Sequence, residues 1–336
     1  MRAGVSQATV SRALRNSPLV NRETRERIQA IARELNYKVD KSASSLRTQR
    51  SNTLALLFFE DPTDDPSQIN PFFLAMLASI TRAAAAADQD LLVSFQQLSD
   101  DWQADYENTH KADGLILLGY GDYTQYHEKL ERLAEGGAHF VRWGAARAGH
   151  PGMAIGCDNI GGGEAVTRHL IEHGCRRIAF VGEASSRYPE FNDRYRGYCK
   201  ALEEAGLEID PGLQIKAIST ERSGLEATRE LLERGAQFDG LFGASDLIAI
   251  GAMQAVFEQG RSVPEDVAVV GFDDIPVAAY TRPALTTLRQ DTTLAGQVLV
   301  DKLIGLIAGA EPANEVISGR LIVRQSCGSG PNPDIS

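Results

Sequence analysis

From Thr53 onward the chain alternates short apolar runs with stretches of helical length. The runs are TLALLFF (53–59), DLLVSF (90–95), DGLILLG (113–119), HFVRW (139–143), MAIGC (153–157), RIAFVG (177–182), LQIKAI (213–218), DGLFGA (239–244) and VAVVGF (267–272). A strand that is apolar at consecutive positions is hidden on both faces. Helices recurring between such strands supply the cover, so parallel sheets follow. Nine units exceed one doubly wound sheet of ordinary size, and two α/β subdomains with a cleft between them are expected. In such folds ligands bind beyond the carboxyl ends of the strands.

Three stretches fall just after strands. NPFF (70–73) opens the helix predicted from about Pro71 to Asp88 and brings the rings of Phe72 and Phe73. NDRYRGY (192–198) sets Arg194 and Arg196 at a helix start, and GFDD (271–274) ends a strand on Asp273 and Asp274. An aromatic face with a carboxylate and a guanidinium can hold a small polyol, the ring stacking on C–H groups and the charges fixing hydroxyls. Taken singly, each has a plainer reading: Phe72 and Phe73 as core, Arg194 as a surface ion pair, Asp273 as a helix cap.

Enzyme signatures are missing: the sequence has no GxSxG, no P-loop and no complete GxGxxG. The GGG at 161–163 reads as easing a helix start. His169 and His173 share zinc-like spacing in HLIEH but lack the glutamate of HExxH and an obvious third ligand, so no metal is expected. The adjacent Asp273–Asp274 pair has poor geometry for a glycosidase. Cys157, Cys175, Cys199 and Cys327 form no CxxC pair, and reduced cytosolic thiols are the default. No apolar run reaches membrane-spanning length, and the first residues form no signal peptide.

The first 50 residues differ from the rest. Eleven Lys/Arg against four Asp/Glu give them +7, leaving −18 on the remainder of a 336-residue chain of net charge −11. A small basic head can neutralise phosphates while the acidic body would be repelled by them. Within the head, Gly4 marks a turn and Ser6 an N-cap. Val10, Ala13 and Leu14 share one helical face, and Gln7, Ser11 and Arg15 share another, with Ala8 and Arg12 beside them. Amide, hydroxyl and guanidinium groups suit the major groove. A further helix follows the Asn21 cap, with Ile28, Ile31, Ala32 and Leu35 as its apolar stripe. KVDKSASSLRTQRSN is polar and basic around a lone Leu46. It reads as a flexible linker, or as a segment that folds only on DNA with Leu46 as a minor-groove wedge.

GVSQATVSRAL, NRETRERIQAIARELNY and SASSLRTQRSNTLAL closely resemble the recognition helix, third helix and hinge of the LacI/GalR family of bacterial transcription repressors. DNIGGGEAVTRHLIEHGCRRIAFVG, SDLIAIGAMQAVFEQGRSVPEDVAVVGFDD and PALTTLRQD resemble its body. The resemblance covers almost the whole chain. It implies a helix-turn-helix head (1–38), a hinge (39–52) and a periplasmic-binding-protein-like body (53–330) that crosses between subdomains three times. Subdomain 1 is expected at about 53–156 and 286–310, subdomain 2 at about 157–285 and 311–330. The implied protein is a cytoplasmic, non-enzymatic, homodimeric repressor. Its implied partners are a pseudo-palindromic operator and a small effector, most often a sugar, with no cofactor and no membrane. Carried over by position, Gln7, Ala8 and Arg12 read bases and Leu46 levers the minor groove; Ser6, Thr9, Ser11, Asn21, Tyr37 and Ser45 complete the candidate DNA contacts. Phe73, Asp158, Arg194, Ser245, Asp273 and Gln290 fall around the effector cleft, joined by Phe72. Val39-Asp40 departs from the family's Pro-Asn, Ser219 from an aromatic and Ser245 from an Asn; Trp143 stands to supply the lost ring. The family begins about ten residues earlier with a first helix, so the chain as written is expected to bind DNA weakly or not at all. A stand-alone solute-binding protein and an enzyme on the same scaffold are the competing readings.

Overall fold

The computed structural model describes residues 3–14, 16–35, 50–58, 69–95, 101–119, 121–147 and 149–328, which fall into two compact units, Met1–Ser51 and Asn52–Ser336. Arg15, Tyr37, Ser45 and Leu46, with most of the hinge, lie outside the described residues.

In the first unit Gly4, at φ +62°, turns the chain into helix α1 (Gln7–Leu14). Ser6 Oγ caps it by accepting from the Thr9 amide at 3.2 Å. Helix α2 (Arg22–Glu34) starts on Asn21, whose Oδ1 accepts from the Thr24 amide at 2.8 Å. Ala13, Val20 and Ile28 form a small core edged by Val5, Val10 and Leu14. Gln29 ties the helices together, donating to Ala13 O at 3.3 Å and Asn16 Oδ1 at 2.7 Å. Of the stripe expected on α2 only Ile28 is buried; the helix ends at Glu34, and Leu35 beyond it is exposed.

The second unit is built on two six-stranded sheets. The first holds β1 (Thr53–Phe58), β2 (Asp90–Phe95), β3 (Gly114–Leu118), β4 (Phe140–Trp143), β5 (Met153–Cys157) and β11 (Glu315–Ile317) in the order β11-β5-β4-β3-β1-β2. The second holds β6 (Ile178–Val181), β7 (Gln214–Ile215), β8 (Gly240–Gly243), β9 (Ala268–Asp273), β10 (Thr286–Arg289) and β12 (Arg320–Ile322) in the order β12-β10-β9-β8-β6-β7. The order is the same in both, and every pairing is parallel except β10 with β12. Helices α3 (Pro71–Ala86), α4 (Tyr123–Glu135) and α9 (Thr292–Ile307) belong to the first lobe. Helices α5 (Asn159–Glu172), α6 (Pro189–Glu204), α7 (Glu221–Glu233) and α8 (Asp246–Glu258) belong to the second.

The expected segment boundaries need three corrections. Residues 286–289 do not return to the first lobe: Thr286, Thr287 and Leu288 are buried beside β9, and their register with it fixes them in the second sheet. The crossing comes at Gln290, after which Asp291 caps α9 by accepting from the Leu294 amide at 2.9 Å. Of the last strands, β11 joins the first sheet, pairing with β5, and the Asn314 side chain extends that edge by accepting from the Ala154 amide at 2.8 Å. The run 213–218 also shortens to Gln214–Ile215, because the Ile218 amide turns to Ser223 Oγ at the start of α7.

The glycine triplet does more than ease a helix start. A Cβ on Gly162 would lie 2.8 Å from the Phe272 ring, and one on Gly163 2.2 Å from Arg194 O. Together with Gly197, which faces Ile160 O across the same contact, it lets α5 and α6 touch backbone to backbone. His169 and His173 are absorbed structurally: His169 Nε2 lies 3.1 Å from Cys327 Sγ, and His173 Nδ1 donates to His169 O at 2.8 Å. None of the four cysteines is in a disulfide. Among the described residues no helix is long and apolar enough to cross a membrane.

Candidate functional site

Most of the body's candidate residues gather where the carboxyl ends of the two sheets face each other. From the first lobe, Asn70 caps α3 by accepting from the Phe72 amide at 3.0 Å, and Pro71 fills the first helical position. That cap fixes Phe72 and Phe73, whose ring centroids are 5.3 Å apart, and Trp143 at the end of β4 stands 6.1 Å from Phe72. All three rings are buried.

From the second lobe, Arg194 emerges near the start of α6 with no exposed surface. Its Nε donates to Asn159 Oδ1 at 2.9 Å, its Nη1 donates to Ala244 O, and its plane lies 3.8 Å over the Phe272 ring. Asp273, at the end of β9, receives Gln290 Nε2 at 2.6 Å and faces Arg194 Nη1 at 3.7 Å. Asp273 has φ +122° and Asp274 φ +57°, conformations that cost a non-glycine residue energy and concentrate at functional sites. The two carboxylates part company there. Asp274 binds Arg289 at 2.6 Å and Arg324 at 2.7 Å and serves the lobe's structure. Arg196 likewise separates from Arg194, pairing with Asp193 at 3.1 Å with most of its side chain exposed.

A polar bridge spans the cleft. Asn70 Nδ2 donates to Ser219 Oγ at 3.3 Å, and Ser219 Oγ to Ser245 Oγ at 2.8 Å; Ser245 also caps α8. The small hydroxyls standing where a ring and an amide were expected thus close on Asn70. Asp158 caps α5, accepting from the Gly161 amide at 2.9 Å, and is half-buried. Nothing in the sequence pattern assigns Asn70, Asn159 or Asp246 to the cleft. The signal for Asn70 was its place before Pro71, which marks a cap and says nothing of the cleft.

Asp246 is wholly buried and accepts from the Thr287 hydroxyl and, at 2.8 Å, from the Ile275 amide. Burial, reinforced by the Asp273 carboxylate, pushes its pKa up to about 8. Burial raises Asp273 as well, but the Arg194 guanidinium opposes it. Among the described residues Asp246 accepts from neutral donors, whereas Asp273 faces a guanidinium, so burial favours the protonated form of Asp246 more strongly. A carboxyl whose folded pKa exceeds its unfolded value of about 3.9 holds a proton that the unfolded chain sheds. Stability therefore falls as pH rises from about 4 to about 8, by up to about 1.4 kcal/mol per unit. Asp246→Asn should flatten that loss. Urea unfolding at pH 5.5 and 7.5 checks it: a variant as pH-sensitive as the parent would put the proton elsewhere.

In the first unit Gln7, Ala8 and Arg12 are exposed along α1, while Ser6 and Thr9 pair their hydroxyls at 2.9 Å and Ser11 is half-buried. Asn21 is an exposed cap on α2.

A two-helix unit with an open polar face, joined to a two-lobed body with a polar and aromatic cleft, is the make-up of a DNA-binding regulator controlled by a small ligand. Residues 1–40 match the model of the bacterial regulatory proteins of the lacI family, and residues 167–327 match a periplasmic binding protein-like domain. The chain is 33% identical over 331 residues to the HTH-type transcriptional regulator CelR of Thermobifida fusca, covering 96% of this chain and 95% of the relative. It is 28% identical to the ribose operon repressor of Escherichia coli, covering 90% and 89%. Among solved structures, a CelR–cellobiose complex aligns with TM-score 0.73 at 32% identity over 96% of this chain and 97% of that one. The lac repressor dimer bound to operator and an anti-inducer aligns with TM-score 0.79 at 26% identity over 97% and 96%. The chain belongs to the LacI family of transcriptional regulators, and the head matched by residues 1–40 tells against a solute-binding protein without DNA function.

Proposed function

We propose that the protein is a homodimeric repressor whose cleft binds an uncharged sugar, and that the bound sugar changes its affinity for a pseudo-palindromic operator. The observation that carries the reading is the cleft's make-up: three packed rings beside buried Arg194, Asp273, Asn70 and Gln290. Arg194 is already faced by Asp273, so the pair offers directed hydrogen bonds rather than an unmatched charge for a phosphate or acid. The CelR–cellobiose complex supports a saccharide. Exposed apolar side chains on β2 and α3 (Val93, Phe95, Leu74) and on the second lobe (Phe257, Val277, Tyr280) support pairing with a second copy. A screen of neutral mono- and disaccharides against their phosphates and uronates by thermal shift tests the ligand class. Stabilisation by the phosphates alone would overturn it.

In the head, Gln7, Ala8 and Arg12, exposed on α1, are assigned to base edges, and Ser6, Thr9, Ser11 and the α2 cap Asn21 to phosphates. Arg12→Ala should weaken binding to a selected operator by about 1–3 kcal/mol and relax preference at one base pair. Leu46→Ala, at a position outside the described residues, should weaken specific binding by a few kcal/mol while sparing ligand binding. Anisotropy titrations on operator and on scrambled DNA check both. Equal losses on the two DNAs would remove Arg12 from base reading, and no loss for Leu46→Ala would leave that segment a linker.

A further inference from the structure

Besides the Asn70–Ser219 bridge, the first lobe reaches across the cleft to a short stretch of the second, residues 187–193, immediately ahead of Arg194. The Ala145 amide donates to Glu190 Oε1 at 2.7 Å, and the Tyr123 amide to Arg187 O at 2.7 Å. The largest share falls to Arg147, whose Nη2 lies 2.9 Å from Pro189 O, 3.0 Å from Asn192 Oδ1 and 2.6 Å from Asp193 Oδ1. These acceptors are the first turn of α6. We propose that residues 144–147 act as a strap, and that Arg147 is a latch that holds the cleft shut and positions α6, and with it Arg194, for the effector.

The strap's root is fixed to its own lobe. Buried Arg142 on β4 donates to Ala145 O at 3.2 Å and to Pro151 O at 3.4 Å. The strap also follows Trp143 directly, so releasing it frees the ring that faces Phe72. At its tip the hold is reversible. One terminal nitrogen with two hydrogens serves three acceptors, and Arg147 Nε is buried without a partner among the described residues. A half-buried cation satisfied on one side gains little over its hydrated state, so the latch holds the closed form without locking it. Glu190 and Asp193, both buried, are held by the strap in the closed form and lose those partners when it lifts.

The inference rests on the cleft reading for what closure serves, but closure itself can be read without ligand. The chain has two tryptophans, so a Trp102→Phe background leaves Trp143 as sole reporter. Acrylamide quenching of that tryptophan should be weak in the parent. It should rise at least about threefold in Arg147→Asp and in Asp193→Arg, as the open population grows. The swapped double variant Arg147→Asp/Asp193→Arg should return it to near the parental value. A single variant that circular dichroism shows to be unfolded is replaced by Arg147→Gln, expected to raise quenching in the same direction. Equal quenching in all four proteins overturns the latch, and so does a rise that the swap fails to reverse. If the swap restores shielding but no neutral sugar binds, the latch stands and the ligand assignment falls.

Discussion

Arg194→Ala should lower affinity for the cleft's sugar by at least about 10- to 100-fold, the size of a lost charge-assisted hydrogen bond of roughly 1.5–3 kcal/mol. It should also destabilise the body by about 3 kcal/mol, because the buried Asp273 carboxylate loses its cation. Arg194→Lys is expected to rescue poorly. The planar guanidinium serves Asn159, Ala244 O and the Phe272 face at once, and an ammonium cannot. Urea unfolding reads the stability and calorimetry with the screened sugar reads the affinity. If Arg194→Ala keeps the parent's sugar affinity, Arg194 braces the lobe and does not touch the ligand.

Gly163→Val should cost about 3 kcal/mol or more, because its Cβ would meet the Arg194 backbone, which has no side-chain freedom to give way. The wedge would part α5 from α6 and displace Arg194 with it, so sugar binding should fail even where the fold survives. Gly305→Ala supplies the contrast. Within α9 its Cβ would find a single neighbour at 3.7 Å, and removing a helical glycine should stabilise by up to about 1 kcal/mol. Equal effects of the two substitutions in urea would refute the close α5–α6 contact.

Elements that are local in cause were legible in the sequence. Ser6 and Asn21 cap helices through bonds to residues three positions on, and the nine strands announce themselves by continuous apolar runs. Strand β10 escaped notice because Thr286 and Thr287 are polar in composition yet fully buried, their hydroxyls engaged by Cys327 and Asp246. Strands β11 and β12, three residues each, are too short to carry a pattern. The site was readable as residue types beyond strand ends, but not as an arrangement. Arg194 and Arg196 are equivalent in the sequence, and only the helix period sends one inward and the other out. Asp273 and Asp274 part in the same way at the end of β9. Asp246 was invisible because its raised pKa is a consequence of tertiary burial.

Coupling between the cleft and the DNA is what makes the protein a switch, and operator anisotropy titrations with and without a cleft-binding neutral sugar measure it. Coupling free energies of this kind are typically about 1–3 kcal/mol, roughly 5- to 150-fold in affinity. The parent's operator affinity should therefore shift at least fivefold on adding sugar, and the same sugar concentration should produce no shift in Asp273→Ala. An equal shift in both proteins, or a sugar that binds the cleft and leaves operator affinity where it was, would contradict the account.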